Sequence, residues 1–247
     1  MEDFSHLAAY YEALFPARKD QLDFLEQVRP EGVPARWIDI ACGTGQQMSG
    51  LAGRGLEVWG LDLDETMLAG LWMRRPDLKD RTVKGDMRQA DRLLSGLLDG
   101  PAGVVYCIGN SLVQLTEDDE ILESLSAFHY LLAPGGVVTV QIVNFDRVLE
   151  NNLQGFKPLE RTAGDGSAFI LERRYEPSER EGCLRFHTRL TTSDGIEEQQ
   201  HDMRALTRAQ FEGLMETAGF HTPSWYGDYD LSEWDQGSPA TIVTAIK

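Results

Sequence analysis

Apolar residues recur along this chain at two alternating periods. Phe4, Leu7, Ala8, Tyr11 and Phe15 stand at helical spacing, and Leu22, Leu25 and Val28 mark one face of a second helix over 20–28. Together these form a helical arm over residues 1–30, which Pro30-Glu-Gly-Val-Pro34 brings to a stop. From Arg36 onward, short apolar runs bounded by Gly, Asp and Pro predict strands at 36–40, 56–61, 81–84, 102–108 and 137–142. Between them the helical period returns. One helix starts near Gln46, another is capped by Asp64 and stops at Pro76, and a third opens at Thr116. That third helix places Ile121, Leu122, Leu125, Phe128 and Leu132 on one face, with Thr116-x-x-Asp119 as a capping box and Ala133-Pro-Gly-Gly136 as its end. Strands alternating with helices through short turns predict a doubly wound, Rossmann-like, mostly parallel sheet with right-handed crossovers.

Beyond the fifth strand the rhythm breaks. Residues 169–175 and 184–190 alternate apolar and polar side chains, as half-exposed antiparallel strands do, and 199–205 reads as a third such strand. The polar stretch 151–166 reads as an irregular connection. An antiparallel β insertion over about 151–205 is therefore expected to cover the substrate side. Thr207-x-x-Gln210 then caps a helix that ends at Gly219, and strands follow at 220–226 and 241–246, joined across 227–239. Nothing divides residues 1–247 into independent units, so a single domain is expected, and 42% hydrophobic content supplies a substantial core.

The charge balance narrows the partners. With 23 basic and 40 acidic residues the formal net charge is −17, and the basic residues come only in short pairs. A nucleic-acid partner is not expected, because phosphate contacts need clustered Lys and Arg. The acidic excess reads first as solubility. Cys42, Cys107 and Cys183 lie far apart with no C-x-x-C pair, so neither a metal site nor a disulfide framework is expected. No apolar run approaches the roughly 18 residues of a membrane span, and the N-terminus lacks a secretion signal, which makes the cytoplasm the expected compartment.

Candidate chemistry gathers at the strand ends. Asp39-Ile-Ala-Cys-Gly-Thr-Gly45 joins the first strand to a helix, and its glycines let backbone approach a ligand closely. A dinucleotide site is the obvious rival, but its fingerprint needs a third glycine where Met48 stands. Asp62 ends the second strand, where a carboxylate can accept from both hydroxyls of a ribose. Gly85-Asp86-Met87 ends the third, where Asp86 can accept from an adenine amino group and Met87 offers a backbone N–H.

These segments, with Gly60-Leu-Asp62 and Leu132-x-Pro-Gly-Gly136, resemble the class I S-adenosylmethionine-dependent methyltransferases. The resemblance covers residues 1–147, weakens across the insertion and resumes from Thr207. It implies a seven-stranded sheet whose last strand is antiparallel, and S-adenosylmethionine as cofactor with S-adenosylhomocysteine as product. It further implies that Gly43 and Gly45 meet the methionine moiety, Asp62 the ribose, and Asp86 with Met87 the adenine, while Asp39 orients the glycine loop. Ala41 stands where many members carry another glycine. Leu63, Cys107 and Ile108 join the cofactor wall by position. Locally, Cys107-Ile-Gly-Asn-Ser-Leu112 and Gln141-Ile-Val-Asn-Phe-Asp-Arg147 are similar to the glycine and sarcosine N-methyltransferase branch. In that branch a helical arm closes over the cofactor. Tyr10, Tyr11 and Arg18 occupy a comparable region here, with Arg18 the candidate for the cofactor carboxylate.

Methyl transfer from a sulfonium is an in-line displacement that rests on alignment and proximity, and an amine needs no strong base. Asn110, Ser111 and Asn144 are the candidate catalytic residues, polar side chains placed to hold an amine or carbonyl. Of Arg173 and Arg174, on opposite faces of a strand, one at most faces the pocket, where it can bind a carboxylate. Trp225, Tyr226 and Tyr229 are candidate pocket walls. A hydroxyl acceptor would need a base, for which His187 and His201 are the candidates. The expected activity is methyl transfer to a small molecule, to an amine or amino-acid nitrogen before an oxygen. An NAD(P)-dependent oxidoreductase and a non-catalytic S-adenosylmethionine binder are the alternatives. Monomer and homo-oligomer stay equally open.

Overall fold

The computed structural model describes residues 7–164 and 166–247. Phe4, the first apolar position of the expected N-terminal helix, lies outside the described residues. The rest of the arm forms a short helix α1 (Tyr11–Leu14) and α2 (Lys19–Gln27). The main body follows as β1 (Arg36–Ile40), α3 (Gln46–Gly53), β2 (Glu57–Asp62), α4 (Glu65–Arg74), β3 (Thr82–Lys84), α5 (Ala90–Ser95), β4 (Ala102–Cys107), α6 (Asp118–Leu131) and β5 (Leu132–Val143). A short α7 (Phe145–Glu150) leads into β6 (Gly155–Thr162), β7 (Ala168–Pro177), β8 (Cys183–Thr192) and β9 (Gly195–Arg204). The chain closes with α8 (Arg208–Thr217), β10 (His221–Tyr226) and β11 (Ala240–Ile246).

The main sheet has seven strands in the order β10-β11-β5-β4-β1-β2-β3. Its strands from β5 to β3 pair in parallel, whereas β11 pairs antiparallel with both β5 and β10. The order reverses at β1, between β4 on one side and β2 on the other. Such a switch point opens a crevice at the carboxyl ends of the strands. Asp64 caps α4 as expected, accepting from the backbone N–H groups of Thr66 at 2.8 Å and Met67 at 3.3 Å. The Thr207–Gln210 capping box is also formed. Thr116 does not cap α6; Glu117 holds that position without a side-chain cap, and Thr116 instead meets Arg180.

Each face of the sheet buries its own core. Leu22, Phe24, Leu51, Val58, Leu71 and Tyr106 pack on one side beneath α2, α3 and α4. Val105, Ile121, Leu125, Phe128, Val138 and Phe211 pack on the other beneath α6 and α8. Among the described residues no helix is long and apolar enough to cross a membrane.

The insertion is a separate four-stranded antiparallel sheet, β6-β7-β8-β9. β6 lies inside the stretch expected to be irregular. Its side chains are mostly exposed, so no alternation marks it, and Pro158 sits beside the register shift between Phe156 and Leu159. Proline tolerates such a place because an edge strand leaves some N–H groups unpaired. Along β7 the period of two puts Phe169, Leu171 and Tyr175 inward. Phe169, Leu171 and Leu190 then bury against Leu7 and Leu14 of the arm. Arm and insertion thus meet over the open end of the main sheet.

Candidate active site

The glycine loop between β1 and α3 is held from β2. Asp62 Oδ2 accepts from the Gly43 backbone N–H at 2.6 Å, and Oδ1 accepts from the Asp64 N–H at 2.8 Å. The loop turns through left-handed backbone at Ala41 (φ 58°), Gly43 (φ 54°) and Gly45 (φ 70°). At Gly43 an added Cβ would project toward open space, with only Tyr11 Cε1 near, at 3.9 Å. At Gly45 an added Cβ would come within 2.5 Å of Leu71 Cδ1. The two glycines therefore do different work: Gly43 keeps a surface free, and Gly45 lets α3 start close against α4. Arg74 of α4 fastens the arrangement, donating to the Thr44 carbonyl at 2.6 Å and pairing with Glu12 of the arm.

Above this loop lies a cavity of about 650 Å³. Tyr11, Arg18, Asp39, Ala41, Gly43, Asp62, Leu63, Met87, Ile108, Asn110 and Ser111 all line it, so most of the residues singled out from sequence converge on one space. Four of the candidate cofactor and catalytic residues do not line it. Gly45 has the packing role just described. Cys107 is fully buried in β4, a strand buried along its whole length. Asp86 turns away to Arg88, which donates to both of its carboxylate oxygens and continues to Glu120. Asn144 is 0% exposed and brackets the chain instead. Its Nδ2 donates to the carbonyls of Asp235, Gln236 and Ser238 at 3.0–3.3 Å, and its Oδ1 accepts from the Arg147 N–H.

The loop after β4 is similarly fastened. Asn110 takes φ 69°, and its Oδ1 accepts from the Val143 N–H at 2.9 Å. Gln141 Oε1 accepts from the Gly109 N–H at 2.8 Å. Ser111 Oγ donates to the Ile108 carbonyl at 3.3 Å. Asn110 and Ser111 thus face the cavity with side chains already engaged by backbone. Gln141, which also lines the cavity, carries no sign of that role in its spacing.

The inserted sheet supplies the far wall. Arg173 lines the cavity, whereas Arg174 is exposed and pairs with Glu176, which settles which arginine faces in. Tyr175, Phe186 and Thr188 line it as well. Parity along β7 is the signal that finds Arg173, since it shares the inward face of Phe169, Leu171 and Tyr175. Of the expected aromatic walls only Tyr229 takes part. Trp225 packs on Phe211 and Arg208, and Tyr226 meets Phe24 edge-on. His187 sits beside Glu176 at 2.9 Å, and burial pushes His201 down to about 4. No histidine lines the cavity among the described residues.

The electrostatics beside the glycine loop are negative. Burial raises the Asp62 carboxyl to about 6, against the pull of the Asp64 and Gly43 N–H groups. Burial, then the charge of Asp62, holds Asp39 well above the ordinary carboxylate range, although the Tyr106 hydroxyl works the other way. Tyr11 is pushed up to about 12 by burial and by both carboxylates. Two carboxylates beside an open glycine surface suit a cationic ligand bearing hydroxyl donors, which is the chemistry of an adenosyl sulfonium.

Comparison with known proteins agrees with that geometry. Residues 38–136 match the model of the methyltransferase domain family. The chain is 26% identical over 226 residues to a glycine/sarcosine N-methyltransferase of Aphanothece halophytica, covering 91% of this chain and 80% of the relative. It is 30% identical over 191 residues to the dTDP-3-amino-3,6-dideoxy-alpha-D-glucopyranose N,N-dimethyltransferase of Streptomyces fradiae, covering 75% and 69%. A solved S-adenosylmethionine-dependent methyltransferase from Clostridium acetobutylicum superposes with a TM-score of 0.77 at 17% identity over 98% of each chain. The chain belongs to the class I S-adenosylmethionine-dependent methyltransferases. It is an enzyme, and S-adenosylmethionine is its cofactor.

Proposed function

We propose that this enzyme methylates an amine nitrogen of a small molecule. The observation that carries this reading is the chemistry of the cavity wall. A hydroxyl acceptor needs a base at the methyl group, and no histidine lines the wall among the described residues. Burial drives Tyr11, Tyr175 and Tyr229 away from ionisation. Asp62 is engaged by the Gly43 and Asp64 amides. An amine brings its own lone pair. The N-methyltransferases among the relatives, one acting on glycine or sarcosine and one on an amino sugar by their names, support the same choice.

In this reading the bound cofactor supplies an electrophilic methyl group on a sulfonium. Asp62 would accept from the ribose hydroxyls with the lone pairs left free by Gly43 and Asp64, and Met87 would offer its backbone N–H toward the adenine. Leu63 and Ile108 would flank the adenine ring and Gly43 would leave room for the methionine chain, while Arg18, which pairs with Asp20 and Asp228 in this structure, would exchange a partner to take the cofactor carboxylate. Tyr11 and the arm close over the loop. Asn110 and Ser111 would act as positioning residues, Asn110 fixing the loop after β4 against β5 and Ser111 fixing the turn itself, so that the acceptor nitrogen would line up with the methyl carbon. Alignment of this kind can lower a barrier by about 7–11 kcal/mol. The insertion over about 151–205 covers the acceptor.

The pH dependence tests the choice of nucleophile. With a simple alkylamine acceptor, kcat/KM rises about tenfold per unit between pH 7 and 9, following the neutral amine. A profile flat over that interval contradicts an amine that must arrive deprotonated.

A further inference from the structure

Gln141 stands near the carboxyl end of β5 and lines the cavity. Two donors claim its Oε1: the Gly109 backbone N–H at 2.8 Å and the Tyr229 hydroxyl at 3.4 Å. A backbone N–H can only donate, so a flipped amide would set donor against donor. Chemistry therefore fixes which way the side chain points. Tyr229 is held in turn, buried with its ring edge-on to Phe24 at 5.5 Å. The other end of the amide, Nε2, keeps two N–H donors that meet no protein acceptor among the described residues. The groups beside it are already committed. Asn110 Oδ1 accepts from the Val143 N–H, and Ser111 Oγ donates to the Ile108 carbonyl. Val143, Phe186 and Met203 line the same cavity with apolar side chains. A few polar groups set among apolar ones fix the orientation of a small ligand, because a donor left unmet on binding is costly.

The reacting nitrogen is not the partner of Nε2. An amine aims its lone pair at the methyl carbon, and its remaining N–H bonds are donors, as are those of the amide. Donation from Gln141 to the lone pair would hold back the electrons that form the new N–C bond. The donors fit instead an oxygen with a free lone pair. The amide is uncharged, so a neutral oxygen meets it without leaving a charge to be balanced. We infer that the methyl acceptor carries a neutral oxygen, hydroxyl or ether, near the reacting nitrogen, and that Gln141 sets this preference by donating to it. This rests on the reading of the cavity as an N-methyltransferase site and adds the substrate class, an oxygen-substituted amine in place of a plain alkylamine.

Matched amines in which oxygen replaces one carbon test this directly. 2-Methoxyethylamine is set against butylamine and ethanolamine against propylamine, with kcat/KM compared per neutral amine. Each oxygen-bearing member is expected to exceed its hydrocarbon partner by about tenfold. Gln141→Glu keeps an oxygen for Gly109 and Tyr229 but presents a second oxygen to the cavity. The ether, which can only accept, then loses its advantage, while the hydroxyl, which can turn and donate, keeps part of its own. Gln141→Leu loses both. A merely structural role would lower all four amines alike. S-adenosylhomocysteine affinity stays unchanged in Gln141→Glu. Equal kcat/KM within both pairs, an ether preference that survives in Gln141→Glu, or any preference that survives in Gln141→Leu overturns the inference. If no amine is turned over, the side-chain amide resonance of Gln141, assigned by its absence from Gln141→Glu, is followed in the S-adenosylhomocysteine-loaded protein. A saturable shift with 2-methoxyethylamine and none with butylamine supports the inference, and the same response to both overturns it. Alcohols methylated in place of amines would overturn the nitrogen reading, and the oxygen preference is then read on 2-methoxyethanol against butanol.

Discussion

Asp62 is the residue on which most of the site turns, because it serves two structures at once. It holds Gly43 and Asp64 through their amides, and it lines the cavity. Asp62→Ala removes charge-assisted hydrogen bonds each worth about 1.5–3 kcal/mol, so S-adenosylhomocysteine binding is expected to weaken at least tenfold by calorimetry. The pH dependence has a definite sign. Burial raises this carboxyl to about 6, and ribose hydroxyls donate to its ionised form. Affinity is therefore flat above pH 6 and falls by up to about tenfold per unit below it. Without the cofactor the same shift works oppositely on folding: the folded chain binds this proton more tightly than the unfolded one, so the group's contribution to stability falls as pH rises from about 4 to 6. Cofactor affinity that stays level down to pH 4.5 would contradict the assigned role. Asn144 teaches the converse lesson. Its place at a strand end made it a candidate substrate contact, but strand ends also need anchors, and only tertiary neighbours distinguish the two uses. Asn144→Ala strands three carbonyls of the 235–238 segment and is expected to cost about 2–3 kcal/mol in chemical denaturation.

At the scale of elements, sequence carried the main sheet well and the insertion partly. β1, β4 and β5 are apolar runs buried nearly throughout, and such strands announce themselves by composition. Asp64 and the Thr207–Gln210 box fix helix starts through local chemistry that needs no distant partner. β6 went unseen because an exposed edge strand buries little and so shows no period. Asp86, expected at the adenine, does not line the cavity between Gly85 and Met87, because Arg88, two residues on, binds its carboxylate. The α3–α4 contact gives a further expectation. Gly45→Ala places a methyl group against Leu71 at left-handed backbone, which together should destabilise by about 2–4 kcal/mol. Urea unfolding of the variant checks it, and an unchanged midpoint would show that α3 can shift without cost.

The whole molecule is a two-sided vessel. The main sheet provides the glycine loop and its carboxylates, while the arm and the inserted sheet pack on each other through Leu7, Leu14, Phe169 and Leu171 to form the cover. Neither half encloses the cavity alone. The cofactor half was readable from strand-end motifs because its requirements are local: a tight turn, a carboxylate, a backbone N–H. The acceptor half was legible only in part: parity along β7 marks the face of Arg173 and Tyr175, but their meeting with Gln141 of β5 depends on tertiary packing of segments distant along the chain. The most direct test follows transfer of a deuterated methyl group from labelled S-adenosylmethionine to matched amine and hydroxyl acceptors, with the product resolved by tandem mass spectrometry. The label is expected on nitrogen, with stoichiometric S-adenosylhomocysteine. Label found only on oxygen, with the amines unmodified, would contradict an N-methyltransferase.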